Sequence, residues 1–251
     1  MPSIKQNTDR PAPSALIASS VTKVQRVSSN INGNRESKAG LLLEPNMMKS
    51  CTLPPHKLSE FPFAETRLAA EQDPGRIVLG GGCFWCTEAV FLQLQGVTRV
   101  ISGYAGGHPG QANYDAVCTG VTGHAEVIDI HYQPDQIGYT DLLRIFFAVA
   151  HDPTQLNRQG NDQGTQYRSA IFFASEQEKQ VALAYIHQLD QGALFSSPIA
   201  TTLEPLTEFY TAEQYHQNFV ARNPHQGYVR YAALPKVETL QLQFPDLLKK
   251  E

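Results

Sequence analysis

Two cysteines three residues apart, Cys83 and Cys86, sit in the run Gly80-Gly81-Gly82-Cys83-Phe84-Trp85-Cys86-Thr87-Glu88. A short, apolar, β-rich segment at 76–79 precedes it, and Val90, Phe91 and Leu94 follow at helical spacing. The pattern is strand, glycine turn and helix, with Cys83 at the entry to the helix. Unpaired backbone N–H groups and the helix dipole favour an anion at that position. Cys83 is therefore expected to have a lowered pKa and to act as a thiolate nucleophile. Phe84 and Trp85 are costly to present near a surface unless they line an apolar pocket. The segment reads as a nucleophile with an apolar wall.

Two other chemistries use the same spacing. A structural zinc needs four ligands, and no second C-x-x-C, C-x-x-H or H-x3-H cluster completes a set here. A thioredoxin-like dithiol also sits at a strand-to-helix turn, and it stays open at this point. Cys51 and Cys118, taken singly, read as small buried hydrophobes. Four further polar residues stand in loop-like stretches: Tyr114 in 112–115, Glu126 in 122–126, and Asp162 and Tyr167 in 160–169. Each alone has an ordinary explanation, such as a half-buried phenol or a surface charge at the start of a strand.

These groups need a scaffold. Strand composition appears at 97–103 and 124–132, the latter closed by Pro134-Asp135. Thr140 is expected to cap an apolar helix over 142–150, stopped at His151-Asp152-Pro153. The polar stretch 155–167 is too long for an idle connector. A strand at 169–174 follows, and Ser175 with Glu178 forms a capping-box pattern for a helix to about 188. A last strand is expected at 199–203 and a final short helix at 212–222. Periodicity is weak after Gly227. That mixed order predicts an α+β fold, a single two-layer domain on a mixed sheet, and not a doubly wound parallel sheet.

Composition bounds the partners. The 251 residues are 41% hydrophobic and 18% charged, with a net charge of −4. Residues 1–50 carry seven Lys/Arg against three Asp/Glu, so the rest of the chain is acidic, with 13 Lys/Arg against 21 Asp/Glu. An acidic body argues against a nucleic-acid partner, since phosphate binding needs clustered Lys and Arg. No apolar run approaches a membrane span. Four cysteines are too few for a disulfide scaffold and fit catalytic thiols in a reducing, cytoplasmic setting. The Ser- and Asn-rich leader reads as disordered. Residues 1–74 are expected to be an N-terminal extension, 75–235 the catalytic domain and 236–251 a C-terminal tail.

Taken together and in order, GGCFWCTEAVF, GYAGG, NYDAVCTGVTGHAE and QGNDQGTQYRS resemble the A-type peptide methionine sulfoxide reductases over roughly residues 75–235. The resemblance implies reduction of methionine-S-sulfoxide, free or in proteins. It also implies a ferredoxin-like core with long loops, no metal or organic cofactor, thioredoxin as reductant, and action as a monomer. By this resemblance Cys83 matches the nucleophile, and Phe84 and Trp85 the walls around the substrate methyl. Glu126 matches the acid, Tyr114 and Tyr167 the hydroxyl donors to the sulfoxide oxygen, and Asp162 an acidic residue at the pocket mouth. The chemistry is coherent: a sulfoxide oxygen leaves only when protonated, so Glu126 must be buried enough to keep its proton. The chain departs from much of the family in having no cysteine after Tyr228. Regeneration must then use Cys86, Cys118, Cys51 or an external thiol. Cys86, one helical turn from Cys83, is the expected resolving residue.

Overall fold

The computed structural model describes residues 61–250. Its centre is β1 (Arg76–Gly81), whose residues from Ile77 onward are all buried. A continuous apolar run is what a strand covered on both faces requires. β1 pairs antiparallel with β3 (Ala125–Tyr132) on one side and with β6 (Ser169–Phe173) on the other. β2 (Val97–Ala105) lies antiparallel beyond β3. The first crossover, from β1 to β2, is α1 (Phe84–Phe91). The second, from β3 to β6, runs through α3 (Tyr139–Ile145) and a π turn at Phe146–Ala150. Two edge strands complete the sheet: β7 (Thr202–Pro205), parallel to β6, and β8 (Phe209–Thr211) beside β2. The order β7-β6-β1-β3-β2-β8 is a mixed sheet with helices against it, so the class is α+β.

Several boundaries differ from expectation. The helix expected over 142–150 begins at Tyr139, capped at Gly138 and not at Thr140, because the Asp141 carboxylate accepts the Gly138 N–H at 3.1 Å. The helix expected over 212–222 is broken. It comprises a 3-10 turn at Gln214–His216 and α5 (Phe219–Arg222), separated by Asn218 in the left-handed region at φ 50°. The strand expected last, at 199–203, lies at 202–205, and β8 at Phe209–Thr211 follows it unforeseen. By contrast Ser175 caps α4 (Glu176–Gln191), accepting the Glu178 N–H at 3.2 Å, with the Glu178 carboxylate returning to the Ser175 hydroxyl.

The folded body also extends past both expected ends. Phe61 and Ala64 are buried in the core. The Asp73 carboxylate accepts the Tyr132 hydroxyl at 2.5 Å and the Tyr139 N–H at 3.1 Å, which ties the segment before β1 to β3 and α3. At the other end α6 (Leu234–Gln243) buries Leu240, followed by buried Phe244, and Lys249 N–H bonds to the Gln93 carbonyl. The segment read as a tail over 236–251 thus carries a packed helix. Pro235 stands in its first turn, where proline is tolerated. The remainder of the expected extension, 1–60, and Cys51 with it, lies outside the described residues.

Candidate active site

The turn from β1 into α1 needs Gly82, which has φ +82°; a Cβ there would also meet the Gln159 side chain at 2.5 Å. Cys83 is the N-cap residue of α1, and its side chain makes no capping bond. The first free N–H of the helix, on Phe84, is donated at 3.1 Å to Glu126 Oε2, projecting from β3. The anion position at the helix start is therefore held by the carboxyl group and not by the thiol. Glu126 is 2% exposed. Burial pushes its pKa up to about 8; the Phe84 N–H works against this and the Asp162 charge adds to it. At neutral pH it keeps its proton, as a general acid must.

The same burial overturns the expected low pKa of Cys83. Enclosure holds its thiol well above the ordinary range, and its hydrogen bond with Cys86 and the nearby Glu126 act the same way. The charge sits more readily on Cys86. Its bond with the Cys83 thiol, with help from the Lys236 ammonium, lowers it to about 7 against the opposing effect of burial. The two thiols interact strongly, so the first of their two protons is lost mainly from Cys86. Cys118 is exposed at the end of α2 (Tyr114–Cys118), where Val117 takes the buried place expected for the cysteine.

A pocket of about 200 Å³ opens over Cys83, with Phe84, Trp85 and Glu126 on its inner side. Tyr114, Asp162, Tyr167 and Tyr228 close the outer side. The structure thus gathers every expected site residue except Cys86, which lines the larger neighbouring cavity with Cys83. Tyr114 opens α2, with its N–H held by the Glu213 carboxylate at 2.9 Å and the helix capped by Asn113. Asp162 lies on a two-residue hairpin of β4 (Arg158–Gln159) and β5 (Asp162–Gln163), and Tyr167 ends the 3-10 turn that follows. Side chains fasten this loop: Gln159 accepts the Asp152 N–H at 3.1 Å, and the Thr165 hydroxyl reaches the Gly120 carbonyl at 2.7 Å. Burial raises the pKa of both Tyr114 and Tyr167, so both stay neutral donors.

Four contributors were missed in the sequence. Tyr228 donates to Asp162 Oδ2 at 2.6 Å and lies 3.8 Å from the Cys86 sulfur, joining the pocket mouth to the second thiol. Phe219 stacks on Trp85, with ring centroids 3.8 Å apart and planes within 7°. Trp85 Nε1–H donates to His216 Nδ1 at 3.1 Å. An indole nitrogen only donates, so Nδ1 must be unprotonated; burial lowers the His216 pKa, in keeping with that. Glu88, buried on α1, accepts the Asn218 N–H at 2.9 Å and so sets the α5 turn that presents Phe219. Of the four, Glu88 alone stands in a motif singled out in the sequence, GGCFWCTEAVF, and no role was attached to it.

A larger cavity of about 410 Å³ adjoins the pocket, sharing Cys83, Asp162 and Tyr228 with it. Cys83 and Cys86 both line it, with Gly81, Gln159, Arg230 and Lys236.

Two thiols one helical turn apart, beside an acid that keeps its proton, are the equipment of a thiol-dependent oxidoreductase. The family model of peptide methionine sulfoxide reductases matches residues 75–247, and the chain belongs to that family. A peptide methionine sulfoxide reductase MsrA of Nautilia profundicola is 54% identical over 163 residues, covering 65% of this chain and 92% of its own. MsrA 2 of Synechocystis is 51% identical over 176 residues, 70% of this chain and 82% of its own. Among solved structures, reduced Mxr1 of Saccharomyces cerevisiae matches with TM-score 0.55 and 34% identity, over 64% of this chain and 92% of its own. Methionine sulfoxide reductase A of Corynebacterium diphtheriae matches with TM-score 0.51 and 38% identity, over 61% and 77%.

Proposed function

We propose that the chain reduces methionine-S-sulfoxide, free or in proteins, through a sulfenic acid on Cys83 that Cys86 converts to a disulfide and thioredoxin reduces. The carrying observation is the buried, proton-bearing Glu126 in the same pocket as Cys83. A proton shift between the paired sulfurs gives the Cys83 thiolate, with the proton now on Cys86. The thiolate attacks the substrate sulfur while Glu126 protonates the sulfoxide oxygen, and the Tyr114 and Tyr167 hydroxyls stabilise its growing charge. Methionine leaves with its sulfur reduced by two electrons, and the oxygen stays on Cys83 as sulfenic acid. Phe84 and Trp85 receive the S-methyl group, and Asp162 with Tyr228 borders the pocket mouth.

Cys86 then attacks the Cys83 sulfur. The S–S bond forms, the S–O bond breaks, and hydroxide departs as water with the Cys86 proton. The nearness of Cys86, one helical turn on from Cys83 and lining the same larger cavity, supports it as the resolving residue, while exposed Cys118 lines neither cavity. A dithiol donor, thioredoxin, returns the pair to its starting state in a reducing, cytoplasmic setting, and the chain acts as a monomer. The three described cysteines are free, in keeping with such a setting. No described helix is long and apolar enough to cross a membrane.

The test is one turnover without reductant. Reduced enzyme mixed with the S epimer should yield one methionine per chain and a Cys83–Cys86 link, mapped by mass spectrometry after alkylation. The R epimer should be left unchanged. Insulin disulfide reduction without methionine sulfoxide turnover would point instead to a dithiol carrier. A Cys83–Cys118 link, or full thioredoxin-dependent turnover by Cys86→Ser, would remove Cys86 from the scheme.

A further inference from the structure

We propose that Lys236 is a positioning residue for the second thiol, its ammonium fixed in the wall of the larger cavity so that it faces charge on Cys86. This rests on the reading of Cys86 as the resolving residue. Lys236 is 7% exposed, in the first turn of α6. Its Nζ donates to the Ala150 carbonyl at 2.5 Å, where the π turn after α3 ends. None of the ion pairs among the described residues includes it. A buried ammonium without a carboxylate is costly, and a long flexible side chain could usually reach water instead. Here the carbonyl anchors it in the cavity that both sulfurs line.

Lys236 faces two titratable groups. One is Cys86; the other is His151, whose ring is bonded to the Phe146 carbonyl and the Ser169 hydroxyl and held neutral by burial, at about 3. His151 therefore offers no charge to compensate, and Cys86 does. Around Cys86 stand the Cys83 thiol, the Tyr228 hydroxyl and the Asp162 carboxylate, and only the last is charged, with the opposing sign. Arg230 lines the same cavity but is exposed, so Lys236 is the buried cation there that offsets Asp162 and lets Cys86 ionise beside a buried nucleophile. The thiolate is the attacking form in the resolving step, so Lys236 acts through Cys86 on the rate at which the sulfenic acid is consumed. A purely structural role is the rival: the ammonium would then do no more than satisfy a helix-terminal carbonyl.

The experiment uses the full chain with Lys236→Met and Lys236→Arg. In resting enzyme, the pH dependence of Cys86 alkylation by iodoacetamide is followed by mass spectrometry. After one equivalent of methionine sulfoxide, disulfide formation is timed by alkylation quench. Lys236→Met should move the Cys86 midpoint upward by about one pH unit or more and slow disulfide formation at pH 7 about tenfold, while Lys236→Arg restores both. An unchanged alkylation midpoint in Lys236→Met overturns the proposal, whatever happens to its melting temperature. If Lys236→Met does not fold, Lys236→Gln carries the same comparison. The alkylation midpoint reads Lys236 even if the mapped disulfide omits Cys86, so failure of the resolving assignment is seen separately.

Discussion

Replacing Glu126 by glutamine should slow the chemistry and stabilise the protein, and the second effect should depend on pH. The unfolded chain ionises Glu126 near its ordinary 4.5, whereas the folded protein holds the proton to about 8. Between those values the folded state binds more protons than the unfolded one. Stability therefore falls as pH rises, by about 1.4 kcal/mol per pH unit for this group. Wild type is then handicapped by about 3 kcal/mol at pH 7 and about 5 kcal/mol above pH 8. Glutamine has no proton to release, and its carbonyl can still accept the Phe84 N–H. Glu126→Gln should match wild type near pH 4.5, apart from a constant offset, and melt higher by about 7–14 °C at pH 7. Methionine formation in a single turnover should slow by about 10²–10⁴-fold. Denaturation of both proteins at pH 5, 6, 7 and 8, with rapid-quench kinetics on the same preparations, measures both effects. A stability difference that does not change with pH would refute the buried, protonated carboxyl, and an unchanged methionine burst would refute its role as acid.

Cys83→Ser should show no turnover, since an alcohol is far less acidic and Cys86 cannot ionise it; a tenth of wild-type activity would contradict the assignment. Phe219→Ala removes the ring stacked on Trp85, and such a pair contributes about 0.5–1.5 kcal/mol beyond its burial. KM for methionine sulfoxide should rise more than kcat falls, and equal losses in both would place Phe219 outside binding. Trp85→Ala should weaken substrate binding by about 1–3 kcal/mol, whereas a lowered melting temperature with unchanged KM would make Trp85 a core residue only. Methionine formation should follow a bell in pH, rising through about 7 as the thiol pair loses its proton and falling through about 8 as Glu126 loses its own. A flat profile between 6 and 9 would separate these groups from the rate.

Of the central strands, β1 was legible because burial on both faces writes an unbroken apolar run, Ile77-Val78-Leu79, whereas β3 breaks its run with Glu126 and Asp129 and was read from its β-branched residues. α4 was legible from its capping pair, a purely local signal. Less was written for β8, three residues long, which joins the sheet only because Gly103 lets Phe209 and Tyr210 approach within 2.5 Å of where a Cβ would stand. The site divides in the same way. Cys83, Phe84 and Trp85 are contiguous, and Tyr114, Glu126, Asp162 and Tyr167 stand in motifs of distinctive composition. Their supports come from far along the chain: Trp85 bonds His216, 131 residues away, and Glu88 bonds Asn218, 130 away. Residues that act by holding another side chain in place carry no local spacing for a reader to find.

Burial serves the acid and works against the nucleophile. Enclosing Glu126 at 2% exposure keeps its proton at neutral pH, and enclosing Cys83 at 8% beside it keeps the thiol protonated too. The helix start cannot rescue Cys83, because its first N–H is already committed to Glu126. A buried acid and a buried thiolate nucleophile can share one pocket only if the thiol's proton has somewhere close to go. In the proposed scheme Cys86 is that place: it lies one helical turn on from Cys83, and its interaction with that thiol lowers it to about 7. In that scheme the C-x-x-C spacing thus serves attack as well as regeneration, since the sulfur that closes the disulfide first takes the proton from Cys83.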